Sequence, residues 1–200
     1  FPDTLYFDKM KMAFSHVNTK YSFICADDDF ISIESAKKCA LFLDKNQDYS
    51  SAQGHYISFQ YQSSLFPYPT YLSMLNNSIS DNSPVSRLNK QFMNYIFHYY
   101  AVHRTSFLKY FFEEMNPKFS NTYTNITELA NTMASVINGK HRVLPIFYCA
   151  RDEYTAIPQT QRKEQHFEII EIKKHDPNYY QNFIIVMADY FVTKHSISKS

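Results

Sequence analysis

Apolar positions along this chain recur with two periods, and the points where the period changes mark its elements. Met10, Phe14 and Val17 are three and four residues apart, one face of an α-helix that the polar pair Asn18-Thr19 ends. Residues 21–26 then run aromatic, β-branched or small without a break, which predicts a strand buried on both faces of a largely parallel sheet. Ser32 is placed to cap the next helix, with Glu34 in its first turn and Ile33, Ala36, Ala40 and Leu43 as its apolar stripe. Residues 51–59 predict a second strand, with Gln53, His55 and Ile57 on one face and Gly54, Tyr56 and Ser58 on the other. Gly54 marks either a close approach of backbone or ligand, or a bulge.

The pattern then lapses. Residues 60–82 are rich in Ser, Asn, Tyr and Pro without periodicity and predict a long surface excursion. Ser83-Pro84 opens a helix with Leu88, Phe92 and Tyr95 as its inner face. Residues 97–103 predict a strand, followed by a helix through Phe111 and Phe112 that stops before Asn116-Pro117. Asn125-Ile126-Thr127-Glu128 has the spacing of a capping box and opens a helix with Leu129, Met133, Val136 and Ile137 on one face and Gly139 as its stop. A strand over 143–148 follows, whose Pro145 indicates a sheet edge or an irregular crossing. After the charged Arg151-Asp152-Glu153 and a polar stretch to Gln165, Asp176-Pro177 starts a last helix carrying Tyr180, Ile184, Met187 and Phe191. Alternating strands and helices predict an α/β fold, one domain over residues 1–200, with 153–200 as a polar loop and helical extension.

Composition narrows the function classes. With 44% hydrophobic and 20% charged residues, 200 residues suffice for one globular core. A net charge of +1 gives no general electrostatic case for nucleic acid or an anionic membrane. No apolar run reaches the roughly 20 residues of a transmembrane segment. Cys25, Cys39 and Cys149 follow no metal-ligand spacing and read as free thiols of a reducing, cytoplasmic setting. Gly54 and Gly139 are the only glycines, which excludes a P-loop or a dinucleotide fingerprint. The chain starts at Phe1 without a signal sequence and reads as an N-terminally incomplete piece.

The chemistry concentrates where residues 21–26 end in Asp27-Asp28-Asp29. At the carboxyl end of a strand in an α/β sheet, loops form the crevice in which ligands bind. Three adjacent carboxylates there repel one another and call for hydration, a basic partner or a hard cation such as Mg²⁺ or Mn²⁺. A solvated acidic turn is the plain alternative.

The segment Ala26-Asp27-Asp28-Asp29-Phe30, together with Gln53-Gly54-His55-Tyr56, resembles the metal-binding centre of nucleotide-sugar glycosyltransferases of family 2, and the resemblance extends over residues 5–152. It implies a GT-A-like (Rossmann-like), mostly parallel sheet flanked by helices. It further implies inverting, metal-dependent transfer of a sugar from a nucleotide-sugar donor to a glycan or other hydroxyl acceptor. Asp27-x-Asp29 matches the family's D-x-D signature, so Asp27, Asp28 and Asp29 are expected at the donor diphosphate, with Asp27 and Asp29 on a divalent cation. Residues 99–105 resemble the acceptor-side strand and helix, which places Arg104 as a candidate diphosphate partner; a structural ion pair is its other reading. Glu128, followed by a helix, Gly139 and a strand, occupies the place of the family's catalytic base, although Leu129 stands where a second acid is common. A late histidine is often a further metal ligand in such enzymes, and His166 is the candidate here. The implied location is the cytoplasm, with peripheral association at the inner membrane face. Two rival functions use the same residues: a metal-dependent nucleotidyltransferase, and a noncatalytic carbohydrate-binding or scaffold domain.

Overall fold

The computed structural model describes residues 4–60, 64–69, 77–119, 123–152 and 169–195. Helix α1 (Tyr6–His16) buries Phe7 and Phe14 and leads into β1 (Tyr21–Ser22). A turn then precedes β2 (Phe30–Ile31) and α2 (Ile33–Lys45), whose N-cap Ser32 accepts a hydrogen bond from Ser35 N–H at 3.3 Å. Next come β3 (Tyr49–Gln60), β4 (Ser64–Pro69) and α3 (Pro84–Met93), the last capped by Ser83. Strand β5 (Val102–Arg104) runs straight into α4 (Thr105–Tyr110), a wider π-type turn at Phe111–Met115 and a 3₁₀ turn at Asn116–Lys118. Helix α5 (Thr124–Asn138), strand β6 (Lys140–Asp152), α6 (Ile169–His175) and α7 (Pro177–His195) complete the order.

The sheet is mixed, not mostly parallel. Its order is β1-β5-β3-β6-β2, with β4 also on β3, and β3 with β6 is the one parallel pairing of the five. The expected interior strand over 21–26 is a two-residue edge strand, antiparallel to β5, and the chain leaves regular structure at Phe23. Unbroken apolar character therefore reflected packing: Tyr21, Phe23 and Ala26 lean on the core and Ile24 lies within it. Strand β4 lies within the expected surface excursion, antiparallel to the end of β3. Pro145 is in a bulge of β6, where Gln53 pairs with Val143 but His55 already pairs with Phe147.

Two helices present other faces than their apolar residues indicate. In α3 the buried side chains are Arg87 and Gln91, while Phe92 and Tyr95 are exposed. Arg87 is drawn inward because its guanidinium donates to the last carbonyls of α5, Val136 O at 2.6 Å and Ile137 O at 3.1 Å. Helix α7 buries Tyr179, Phe183, Met187 and Tyr190, one position round from the expected face, and Ile184 is exposed. Among the described residues no helix is long and apolar enough to cross a membrane.

Both glycines serve close packing. A Cβ on Gly54 would strike Ile146 O and come within 2.9 Å of Tyr148 Cβ, and one on Gly139 would lie 2.9 Å from Asp48 O. Gly139 ends α5 in an extended conformation, φ −175°, and not in the left-handed one. Gly54→Ala forces β3 from β6 and is expected to lower unfolding free energy by about 1–3 kcal/mol in denaturant titration; an unchanged midpoint contradicts this packing role.

A layer of buried polar groups joins α5 to the sheet. His98 stacks on His141 with centroids 4.5 Å apart and lies 6.4 Å from His103, all three with no exposed surface. His98 places its two nitrogens 3.0 Å from Ile96 O and 3.1 Å from Thr132 O, and His141 Nδ1 meets Ser51 Oγ at 2.8 Å. Their neighbours from α3, α5 and β3 are the neutral Gln91, Thr132, Ser135 and Ser51. Burial lowers all three imidazoles, His98 to about 4 against the two carbonyls that face its nitrogens, His103 to about 3 and His141 well below its usual value. The unfolded chain takes up protons below about pH 6.5 where the folded chain does not, so stability falls as pH falls from there until the folded rings titrate. Each ring contributes a slope of up to about 1.4 kcal/mol per pH unit. Urea midpoints between pH 7.5 and 5 are expected to drop steeply, and a flat profile contradicts the cluster's neutrality.

Candidate functional site

The three acids stand in different surroundings, Asp27 and Asp28 exposed and Asp29 buried. A backbone hydrogen bond from Asp29 N–H to Ala26 O, 3.3 Å, closes a turn that leaves Asp27 and Asp28 exposed. Asp29 then enters β2, where Phe30 pairs with Ala150 and Ile31 with Cys149 of β6. Strand alternation sends Phe30 to one face, where it is 64% exposed, and Asp29 with Ile31 to the other. The Asp29 side chain is 2% exposed.

What meets that carboxylate is the end of β6. Arg151 Nε donates to Asp29 Oδ2 at 3.3 Å, and the Asp152 backbone N–H donates to Oδ1 at 3.2 Å. Burial pushes the Asp29 carboxyl up, the charge of Arg151 opposes that shift, and Asp28 adds to it. The guanidinium of Arg151 lies over Phe97 at 5.0 Å and Tyr100 at 5.4 Å from the ring centroids. Both rings belong to the buried irregular segment 96–101, which Tyr148 Oη holds through Tyr100 O at 2.7 Å and Gln53 Nε2 through Phe97 O at 2.9 Å.

Glu128 lies beside the same segment. Helix α5 begins at Thr124 after Tyr123, so Glu128 is in its second turn and the expected capping box at Asn125 is not formed. The half-buried carboxylate acts on Tyr99 and Tyr100, whose phenols are raised first by burial; at Tyr100 the charges of Arg151, Asp29 and Glu128 are all felt. Tyr99 Oη in turn lies 3.1 Å from Tyr6 Oη. Asp29 and Glu128, far apart in sequence, thus share one aromatic partition with Arg151 set against it.

Arg104 is not brought to this group. Its register opposite Tyr21 places it at the start of β3, whereas Arg151 pairs with Ser58 near the other end. Seven to eight residues at about 3.3 Å each separate them by roughly 25 Å. There Arg104 Nη2 donates to Leu43 O, Asn46 O and Tyr49 O at 3.0–3.4 Å, satisfying the C-terminal end of α2, and Nη1 donates to Tyr21 Oη. His166 lies outside the described residues. Sequence reasoning passed over Arg151, Phe97 and Tyr100: the arginine read as part of a charged loop and the aromatics as strand core. The signal for the former was its position directly after a strand.

Among the described residues no three His, Cys, Asp or Glu side chains converge as a metal cage. The oxygen donors of Asp27 and Asp29 nevertheless suit Mg²⁺ or Mn²⁺, which bind through one or two carboxylates together with substrate phosphates. Asp29→Ala leaves the guanidinium of Arg151 without its carboxylate and is expected to lower unfolding free energy by about 1–3 kcal/mol. Asp29→Asn, which still accepts from Asp152 N–H, is expected to lose less; equal losses in denaturant titration contradict a charge-paired Asp29.

No protein-family model matches this chain, and no curated protein matches it. Among solved structures, the chain is similar to the crystal structure of S. aureus TarS, a glycosyltransferase, with 17% identity and a TM-score of 0.47. The match covers 96% of this chain and 31% of that one, so the chain spans less than a third of the length of TarS.

Proposed function

We propose that this chain is the catalytic part of a glycosyltransferase that moves a sugar from a nucleotide-sugar to a hydroxyl acceptor with inversion. What carries the reading is the meeting of Asp29, reached through the exposed Asp27-Asp28 turn, and Glu128 about one aromatic segment. Asp29 and Asp27 would hold the divalent cation that this reading requires. That cation supplies charge neutralisation of the leaving diphosphate when bound. Glu128, half-buried beside Tyr99 and Tyr100, accepts the proton of the attacking hydroxyl. Tyr99 and Tyr100 hold their phenol protons, since burial raises both, and so do not compete for the proton. No covalent intermediate is needed, which accords with two carboxylates serving separate ends of the reaction.

The chain itself supplies the assay. In it, Glu128→Gln is expected to reduce transfer by about 10²–10⁴-fold, the usual contribution of a general base, with the unfolding midpoint unchanged. Retained transfer in the glutamine variant removes Glu128 from that role. Product analysis with a nucleotide-sugar and with a nucleoside triphosphate separates glycosyl from nucleotidyl transfer.

A further inference from the structure

We propose that the outward faces of α3 and α7, with the groove between them, form the contact through which two copies of this chain associate about a two-fold axis. It is independent of the glycosyl-transfer reading, since none of the residues that reading uses lines the groove.

Two apolar helix faces are turned outward. Periodicity assigns Leu88 and Phe92 of α3, and Ile184, Met187 and Phe191 of α7, to the interior, yet all of them line one open groove of about 420 Å³. The buried Met133 and Ile137 of α5 close its floor. Hydrogen bonds hold the helices this way. Arg87 of α3 donates to Val136 O and Ile137 O, Gln91 donates to Ile96 O, and His195 at the end of α7 places Nε2 2.9 Å from the same Ile137 O. Satisfying buried carbonyls therefore sets which side of α3 faces out. Among the described lining residues Asn89 is the one polar side chain and none is charged, as at the centre of a subunit contact. Round the groove Val85, Phe92, Ile184 and Val192 are about half exposed, and Met93, one turn beyond Asn89 on the same stripe, is 82% exposed. Side chains of this size make an apolar patch on the order of 500 Å², near the top of the range that monomers carry. With a polar fringe such a patch approaches the roughly 800 Å² that each partner buries in a stable pair.

Two features select a second copy over other occupants. The face holds a ridge at Met93 beside a groove, so a two-fold axis puts each copy's ridge in the other's groove. A lipid surface calls for free basic residues round an apolar face. Here Lys90 is paired with Asp81 at 2.8 Å, Lys194 lies over the rings of Tyr110 and Tyr190, and the exposed Asp189 adds an acid.

Sedimentation velocity from low micromolar to submillimolar concentration reads the mass, under reducing conditions that keep the exposed Cys25 from cross-linking copies. The unaltered chain is expected to pass from monomer to dimer. Met93→Asp and Ile184→Asp, one on each helix, are each expected to raise the dissociation constant by about tenfold or more. Leu41→Asp, also exposed but on α2, is expected to leave it unchanged. Thermal midpoints of all three accompany the runs; should an aspartate variant unfold, Met93→Ser and Ile184→Ser repeat the comparison with an expected rise of about threefold. A chain that stays monomeric throughout overturns the proposal, and binding of that monomer to phosphatidylcholine–phosphatidylglycerol vesicles then assigns the face to lipid. A dimer that the Met93 or the Ile184 variants leave intact overturns it as well, because association then uses another face. So does an equal loss in Leu41→Asp, because the effect is then general.

Discussion

A buried stretch of backbone without a ladder, residues 96–101, sets the terms for the rest of the molecule. Each carbonyl shut away from water needs a donor, and here the donors are side chains from separate elements. Gln91 of α3 serves Ile96 O, Gln53 of β3 serves Phe97 O, and Tyr148 of β6 serves Tyr100 O. His98 O receives the Ala101 N–H, with His103 Nε2 of β5 at 3.2 Å. Moving any one of these elements leaves an unpaired carbonyl in the core, so the segment fixes α3, β3, β5 and β6 relative to one another.

The candidate site inherits its geometry from that requirement. Phe97 and Tyr100 are held by their backbone partners as the wall on which Arg151 rests, and the charge of Glu128 acts on Tyr99 and Tyr100 of the same segment. The parallel pairing of β3 with β6 then sets how far along the wall Arg151 falls, while β2, two residues long, sets the reach of Asp29. Burial penalises the Asp29 charge and Arg151 opposes that penalty in part, so the charge at that position depends on residues 122 positions apart in the chain.

Local signals were legible where a single residue decides a local event. Ser32 and Ser83 cap the helices they were expected to cap, and Gly54 stands where two backbones approach. Pro145 marks the irregular crossing. Patterns that need a partner were not legible. The unbroken run at 21–26 indicated burial, yet burial at the rim of a core and burial inside a sheet give the same composition. Phe92 and Ile184 lie outside their helices' buried faces, in α3 because the carbonyls at the end of α5 demand the guanidinium of Arg87.

By itself, the sequence determined the α/β alternation, most helix boundaries and the acidic turn with Asp29 as its last member, because caps, turn residues and periodicity act over three or four neighbours. Tertiary structure alone decided the strand order, the single parallel pairing, the partner of Asp29 and the separation of Arg104 from it. Those depend on which buried donors meet which buried acceptors across the chain, and a hydrogen bond between residues far apart in sequence leaves no period along it to read.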